Sequence, residues 1–339
     1  MKQSKTGLLL VMIALLTLVM AACSGSNGQG NTTATASPSA SPEAAQSSSQ
    51  PSATAEDGVR TVASEKGEIT IPANPSKVIG LSVVYPEFLQ ALGVTPIAVQ
   101  NFHPEFPVYL EEPFKNTTKM GIATTPDFEK ILAAEPDLII APIWWSDKDY
   151  DQLTKIAPTV LLPQRDDWRD ELKDIAGVLG KPEAADKVIQ DLVDQELAAK
   201  EKLDTIVGDE TVMYMMIMPD GIVLYGENID RGSFVHKTLG LKAVENFPQN
   251  ELSITISLEK LPEYNPDHII LQMNDDSNET IQQYYKEIQS SSLWKNMTAV
   301  KKNQVYLVGG EEWFNLGMSP LANSYAIDAI LQIFENKGQ

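Results

Sequence analysis

The sequence predicts an α/β protein of two Rossmann-like lobes with mostly parallel sheets, linked by one long α-helix, with a ligand cleft between the lobes. Three observations carry this. One stretch occurs twice: Thr125 to Ile140 reads TPDFEKILAAEPDLII and Thr255 to Ile270 reads TISLEKLPEYNPDHII, at a constant offset of 130 residues. That offset is far too long for a solenoid repeat and marks two related halves. Short apolar runs alternate with helical patterns in both halves, as a parallel sheet requires. Between the halves, Asp166 to Val207 is almost wholly helical in pattern.

Each copy of the repeat predicts a helix, a turn and a strand. Asp127 and Ser257 hold the same place, and both residue types cap helix N-termini well. A Pro-Asp pair then breaks each helix, because the residue before proline is pushed out of the α region. The runs Leu138 to Ala141 and His268 to Leu271 read as buried strands. Glu129 and Glu259 fall in the first turn of their helices.

The chain starts with a charged end, Lys2 and Lys5, followed by an apolar run from Gly7 to Ala22 and then Cys23. This is the plan of a secretory signal, and it is short for a membrane span. Small residues before Cys23 resemble a bacterial lipobox, with Met20 where Leu is more usual. The resemblance implies cleavage before Cys23 and a lipid anchor on its sulfur; the alternative is an ordinary signal peptide with an incidental cysteine. Ser24 to Gly58 has almost no bulky apolar residue and cannot bury enough surface to offset its ordering entropy. The expected organisation is a lipoprotein signal peptide over 1–22, a lipid-anchored flexible linker over 23–58, a first lobe over 59–165, linking helices over 166–207 and a second lobe over 208–339.

In the first lobe, Gly67 to Pro72 reads as an edge strand and Lys77 to Ser82 as a buried one. Tyr85 to Leu92 is a helix stopped by Gly93. Pro96 to Gln100 and Pro158 to Leu162 are further strands, with a helix over Asp149 to Ile156. In the linking region, a helix from Pro182, a natural first-turn residue, carries apolar positions Val188/Leu192 and Ile189/Val193/Leu197. At 1.5 Å per residue it is about 35 Å long, enough to cross from one lobe to the other. In the second lobe, Thr211 to Met218 and Ile222 to Tyr225 form a hairpin about Pro219-Asp-Gly221. A polar loop from Gly226 to Gly232 follows, then a helix over Phe234 to Leu239 stopped by Gly240. Helices over Thr280 to Ser290 and Pro320 to Phe334 flank a last strand, Gln304 to Val308.

The net charge of −20 disfavours nucleic acid and anionic membrane surfaces as partners. Its single cysteine rules out a disulfide framework. Nucleophile elbows, zinc-protease helices, phosphate loops and dinucleotide fingerprints are absent from the sequence. His103, His236 and His268 are far apart and read as core or surface histidines rather than metal ligands. Ligands of open α/β sheets bind beyond the carboxyl ends of strands. Those positions hold Tyr85, Gln100, Trp144, Trp145, Arg165, Asn274 and Trp313, with Arg231 in the loop before a helix. Aromatics with one or two arginines suit a bulky, partly apolar ligand with anionic oxygens.

The lipobox, the tether, GEITIPANPSKVI, the FLQALGV helix end, both EK…PD…II units, the linking helix and AVKKNQVYLV occur in this order. Together, over roughly Val59 to Phe334, they resemble the iron-siderophore and cobalamin family of ABC-importer substrate-binding lipoproteins, the Gram-positive ferric-siderophore receptors above all. The resemblance implies two lobes joined by one rigid helix, limited closure around the ligand and no catalysis or cofactor. It also implies an outer-face, membrane-anchored monomer whose partners are a ferric siderophore and the permease and ATPase subunits. In this group a Glu on each lobe pairs with permease arginines, which carries over to Glu129 and Glu259. The loop Tyr225 to Gly232 resembles that of Gram-positive hydroxamate receptors, whose Arg contacts iron-bound oxygens; this carries over to Arg231. Some such receptors have a Trp two residues earlier, where this chain has Ile229, and Gly121-Ile-Ala123 offers no arginine of the Gram-negative kind. Few basic residues stand at strand ends, which favours a neutral or weakly charged ferric hydroxamate, or a mixed citrate-hydroxamate. Catecholate siderophore, haem and cobalamin are the alternatives within the class, and an extracellular lipoprotein enzyme the alternative outside it.

Overall fold

A computed structural model describes residues 58–122 and 125–336. The predicted signal peptide, Cys23 and the linker up to residue 57 lie outside the described residues. The described residues fall within one compact unit.

Two five-stranded sheets organise the chain. In the first, β3 (Val78–Gly80) is central, flanked by β4 (Ala98–Val99) and β5 (Thr118–Lys119) on one side and β6 (Leu138–Pro142) and β7 (Thr159–Leu162) on the other. All its pairings are parallel. The second has the same plan about β8 (Val212–Met218), with β9 (Gly221–Leu224) and β10 (Ile254–Ile256) on one side and β11 (His268–Met273) and β12 (Val305–Val308) on the other. Here β9 is antiparallel to both its neighbours, as the Pro219-Asp-Gly221 turn requires. A hairpin of β1 (Val59–Ser64) and β2 (Gly67–Pro72) forms a separate antiparallel sheet. It abuts the edge of the first sheet through the 2.9 Å hydrogen bond from the Glu65 amide to the Leu161 carbonyl.

The repeat has a structural meaning. β6 and β11 hold the same place in their sheets, and Leu138 and His268, one repeat apart, each pair with the first residue of the central strand, Val78 or Val212. The Pro-Asp pair anchors this register. Asp137 accepts from the Ser76 amide at 2.8 Å and the Lys77 amide at 2.9 Å. Asp267 accepts from the Thr211 amide and hydroxyl, each at 3.0 Å.

The two copies part company at the helix. In the first, α2 (Phe128–Ala134) is capped by Asp127, which accepts from the Lys130 amide; α1 (Tyr85–Ala91) precedes it. In the second, the expected helix is a turn followed by a short 3-10 segment, Leu261–Glu263. Leu132 of the first copy is Pro262 in the second, and proline has no N–H to donate to an α-helical ladder.

Helices α3 (Trp168–Leu179) and α4 (Pro182–Val207) follow β7 and precede β8, with α4 spanning 26 residues. α4 buries Ala185, Leu192, Ala199, Leu203 and Val207, a seven- and four-residue spacing that keeps one face inward. Leu197, expected on that face, is exposed; Glu196 turns inward instead and meets the Arg169 guanidinium at 3.3 Å. In the second lobe α5 (Glu279–Ser290) leads towards β12, and α6 (Pro320–Glu335) closes the fold by packing on both α4 and α1. α6 therefore belongs by sequence to the second lobe and by packing to both. The predicted helix over Phe234 to Leu239 is a π-helical turn, Phe234–Thr238.

Candidate functional site

The segment after β12, from Gly309 to Gly317, reaches the loops at the carboxyl ends of the first sheet. It is held from three directions. From behind, Arg231 Nη1 donates to the Trp313 carbonyl at 2.7 Å and Nη2 donates to the Phe314 carbonyl. From the second sheet, Gln272 Nε2 donates to the Gly310 carbonyl at 3.1 Å. From the first lobe, Asn315 Nδ2 donates to Glu87 Oε1 at 2.7 Å and to the Val83 carbonyl at 3.0 Å.

Glu87 is the centre of that third contact. It also accepts from the Ser319 hydroxyl and, at 3.3 Å, from Tyr109. Burial raises its carboxyl above the ordinary value of 4.5, and these hydrogen bonds oppose the rise.

Two cavities lie beside the segment, one walled by residues of both lobes and the other by the linking helices and the second lobe. One, of about 50 Å³, is lined by Gln100, Phe102, His103, Glu311, Phe314 and Asn315 among others. Phe102 and Phe314 close it by stacking at 4.9 Å, with His103 edge-on to Phe314 at 5.1 Å. The other, of about 320 Å³, is lined by Asp167, Arg169, Ile229, Asp230 and Gly317 among others. A groove of about 850 Å³ beside β12 and α6 is walled by second-lobe residues alone. Small-molecule sites typically measure ~300–1,000 Å³. The cavity between the lobes is therefore too small for a bulky ligand in this structure.

The expected site residues are not brought into one ring. Gln100 lines the smaller cavity and is 4% exposed. Arg231 is buried behind the segment, its guanidinium 5.3 Å from the Tyr225 ring centre. The loop bearing it depends on glycine: a side chain at Gly232 would collide with the Gly226 carbonyl. Tyr85 and Trp313 are each 1% exposed, so neither presents a ring face to a ligand in this structure. Tyr85, in the first turn of α1, packs in the core, and burial followed by the field of Glu171 and Asp174 raises its hydroxyl. Trp313 packs 6.0 Å from Tyr214. Arg165 forms a bidentate pair with Asp174 at 2.7 and 3.2 Å through Nε and Nη2. Trp144 is exposed, and Trp145 keeps a buried indole N–H without a partner among the described residues. Asn274 is fixed by its amide to the Ile217 carbonyl at 3.0 Å and lines neither of the two cavities beside the segment.

Glu129 is exposed in the first turn of α2. Glu259 is exposed in the matching turn of the second lobe, where a hydrogen bond with the Ser257 side chain lowers its carboxyl. His236 Nδ1 lies 2.8 Å from the Leu241 carbonyl and His268 Nε2 3.0 Å from Glu210, as core histidines with partners. No group of three metal-ligating side chains comes together among the described residues.

Sequence reasoning missed Glu87, Phe102, Phe314 and Asn315. Position was the available signal: Phe102 follows Gln100 by two residues, and Phe314 and Asn315 directly follow Trp313.

Two five-stranded α/β sheets with a cavity walled by both lobes agree with the solute-binding class of protein. The chain belongs to the periplasmic binding protein family, whose pattern it matches over residues 78–311. It is 31% identical over 264 residues to an iron(3+)-hydroxamate-binding protein of Bacillus subtilis, covering 73% of this chain and 78% of that one. Among solved structures it is similar to a Staphylococcus aureus protein complexed with staphyloferrin B, at a TM-score of 0.66 and 26% identity, covering 81% of this chain and 98% of that one. It is equally similar to a triscatecholate siderophore-binding protein of Bacillus subtilis complexed with ferri-bacillibactin, at a TM-score of 0.66 and 26% identity, covering 82% of this chain and 99% of that one.

Proposed function

We propose that this protein is an extracytoplasmic solute-binding lipoprotein that captures a ferric siderophore and delivers it to an ABC importer. The observation that carries this reading is family membership over residues 78–311, supported by a cavity walled by residues of both lobes. Arg231 supports the segment that carries Phe314 and Asn315 to the first lobe, through the Trp313 and Phe314 carbonyls. In this reading the Trp313 to Gly317 segment moves on ligand entry, and Arg231 exchanges a carbonyl partner for an anionic oxygen of the chelate. Gln100, Trp144, Trp145, Asn274, Arg165, Tyr85 and Trp313 are secondary candidates, of which Gln100 needs the least rearrangement. Glu129 and Glu259, one exposed on each lobe, dock the permease. Cys23 carries the lipid, the protein works as a monomer on the outer face of the membrane, and no reaction is catalysed.

The chelate we favour is a hydroxamate, because Arg165 and Arg169 are already paired with carboxylates and Arg231 stands alone behind the segment. A catecholate is the second reading, carried by the structural similarity to the ferri-bacillibactin complex. A cell lacking this gene should lose uptake of radiolabelled iron presented as its siderophore, and the wild-type gene should restore it. Full uptake of every hydroxamate, citrate and catecholate complex by the deletion strain would refute the role.

A further inference from the structure

The cavity between the lobes is lined by three polar side chains that carry buried atoms without partners among the described residues. Gln100, His103 and Asn315 line it and are 4%, 5% and 3% exposed. Gln100 Oε1, both ring nitrogens of His103 and Asn315 Oδ1 are buried and make no hydrogen bond. The orientation of Asn315 is settled by its neighbours: its Nδ2 faces two acceptors, the Glu87 carboxylate and the Val83 carbonyl, so its oxygen must point the other way. Asn315 Oδ1 is therefore an obligate acceptor, and Gln100 Oε1 stands as a second. His103 adds a third acceptor when neutral, and burial favours its neutral form against the opposing fields of Asp275, Asp276 and Glu312. Buried polar atoms are seldom left unpaired, and a cluster of them marks where a partner belongs.

The acidic side chains that line the cavity are Glu87, Glu105 and Glu311, with Lys119 standing over the Phe106 ring beside it. Glu311 lines it, and burial with the fields of Asp276, Glu312 and Asp275, which stand near it outside the lining, raises the Glu311 carboxyl. None of these last four acids has a cation within ion-pair distance among the described residues. Glu105, on the opposite wall, is matched by Lys119 at 3.0 Å. Acceptors beneath an unneutralised acidic rim call for a donor carrying positive charge. About 50 Å³ also suits a group of a few heavy atoms rather than an iron centre.

We propose that this cavity is a subsite for a primary ammonium arm of the bound chelate, held by Gln100, His103 and Asn315 under the carboxylates of Asp275, Asp276, Glu311 and Glu312. The assignment rests on the siderophore reading and sharpens it: the substrate class is a cationic, amine-bearing ferric chelate, and a trianionic complex is repelled. The chain's charge of −20 acts in the same direction at long range.

The test compares two ligands with the same iron centre. One is ferrioxamine B, a linear ferric tris-hydroxamate with a free primary amine, and the other is its N-acetylated form. Titrated into the purified protein, the amine form should bind at least tenfold more tightly. The preference should shrink on raising the salt and largely vanish in Asp276→Asn/Glu311→Gln. Equal, tight binding of both forms would show that water alone fills the cavity; the subsite would fall and the siderophore role would stand. Binding of neither form, nor of neutral or anionic chelates, would overturn the subsite together with the role beneath it. Because the main comparison uses the unaltered protein, a variant that failed to fold would not rescue the proposal.

Discussion

Glu87 on α1 accepts a 2.7 Å hydrogen bond from Asn315, 228 residues further along the chain. The contact ties the first lobe to the segment after β12, and it buries a carboxyl group to do so. Burial holds that carboxyl above its ordinary 4.5, so folding favours its protonated form. The stability this gives is fully present below the unfolded value and is lost as pH rises through the folded one. Wild-type stability relative to Glu87→Gln should therefore decline as pH rises above about 4.5, by at most about 1.4 kcal/mol per pH unit for one proton. Glu171, pushed up to about 7 by burial and by Asp174, contributes with the same sign in both proteins and cancels in the comparison. Melting curves across that range check this, and a pH-independent difference would mean that Glu87 does not titrate differently on folding.

Phe102 and Phe314 stack across the smaller cavity at 4.9 Å. An aromatic pair contributes about 0.5–1.5 kcal/mol beyond its buried area. Phe314→Ala should thus raise the association rate of a chelate by roughly two- to tenfold, provided separation of the rings limits entry. Stopped-flow quenching measures this directly; an unchanged rate would place the entry barrier elsewhere.

Arg231→Ala removes the donor from two carbonyls of the segment. A buried polar group left without its partner costs about 1–3 kcal/mol. The variant should melt lower and bind a ferric hydroxamate at least tenfold more weakly. A lower melting temperature with wild-type affinity would leave Arg231 as a support of the segment and remove it from the ligand site.

Glu129→Ala/Glu259→Ala changes two exposed side chains that lie outside both cavities beside the segment. Ligand affinity should stay within twofold of wild type while uptake of labelled iron is abolished. Normal uptake by the double variant would exclude docking through these glutamates.

The parts of the fold legible in the sequence were those set by local pattern. The Pro-Asp of each repeat marks a turn, and Asp137 and Asp267 prove to anchor the same strand register. Pro182 opens α4, and Gly93 and Gly240 end their segments with φ of 71° and 72°. Where the reading failed, a single residue or a distant partner decided. Pro262 turned the second repeat's helix into a 3-10 segment. Glu196 took the inward place expected of Leu197 because Arg169 was there to meet it. Tyr85 and Trp313 were read at the cleft from their place after strands, yet side-chain direction carried both into the core. Glu87 in a helix's first turn looks like an ordinary dipole residue; only the fold brings Asn315, Ser319 and Tyr109 to it.

The most direct test of the central claim is a fluorescence titration of the purified protein with ferrioxamine, ferrichrome, ferric enterobactin and haem. Trp144 and Trp145 lie just beyond β6 and Trp313 within the segment after β12, so an iron complex entering the cleft should quench them. Saturable quenching by a hydroxamate with a Kd below about 1 μM, or about 8 kcal/mol of binding free energy, is the predicted result. No change with any of the four would contradict a siderophore-binding function for this protein.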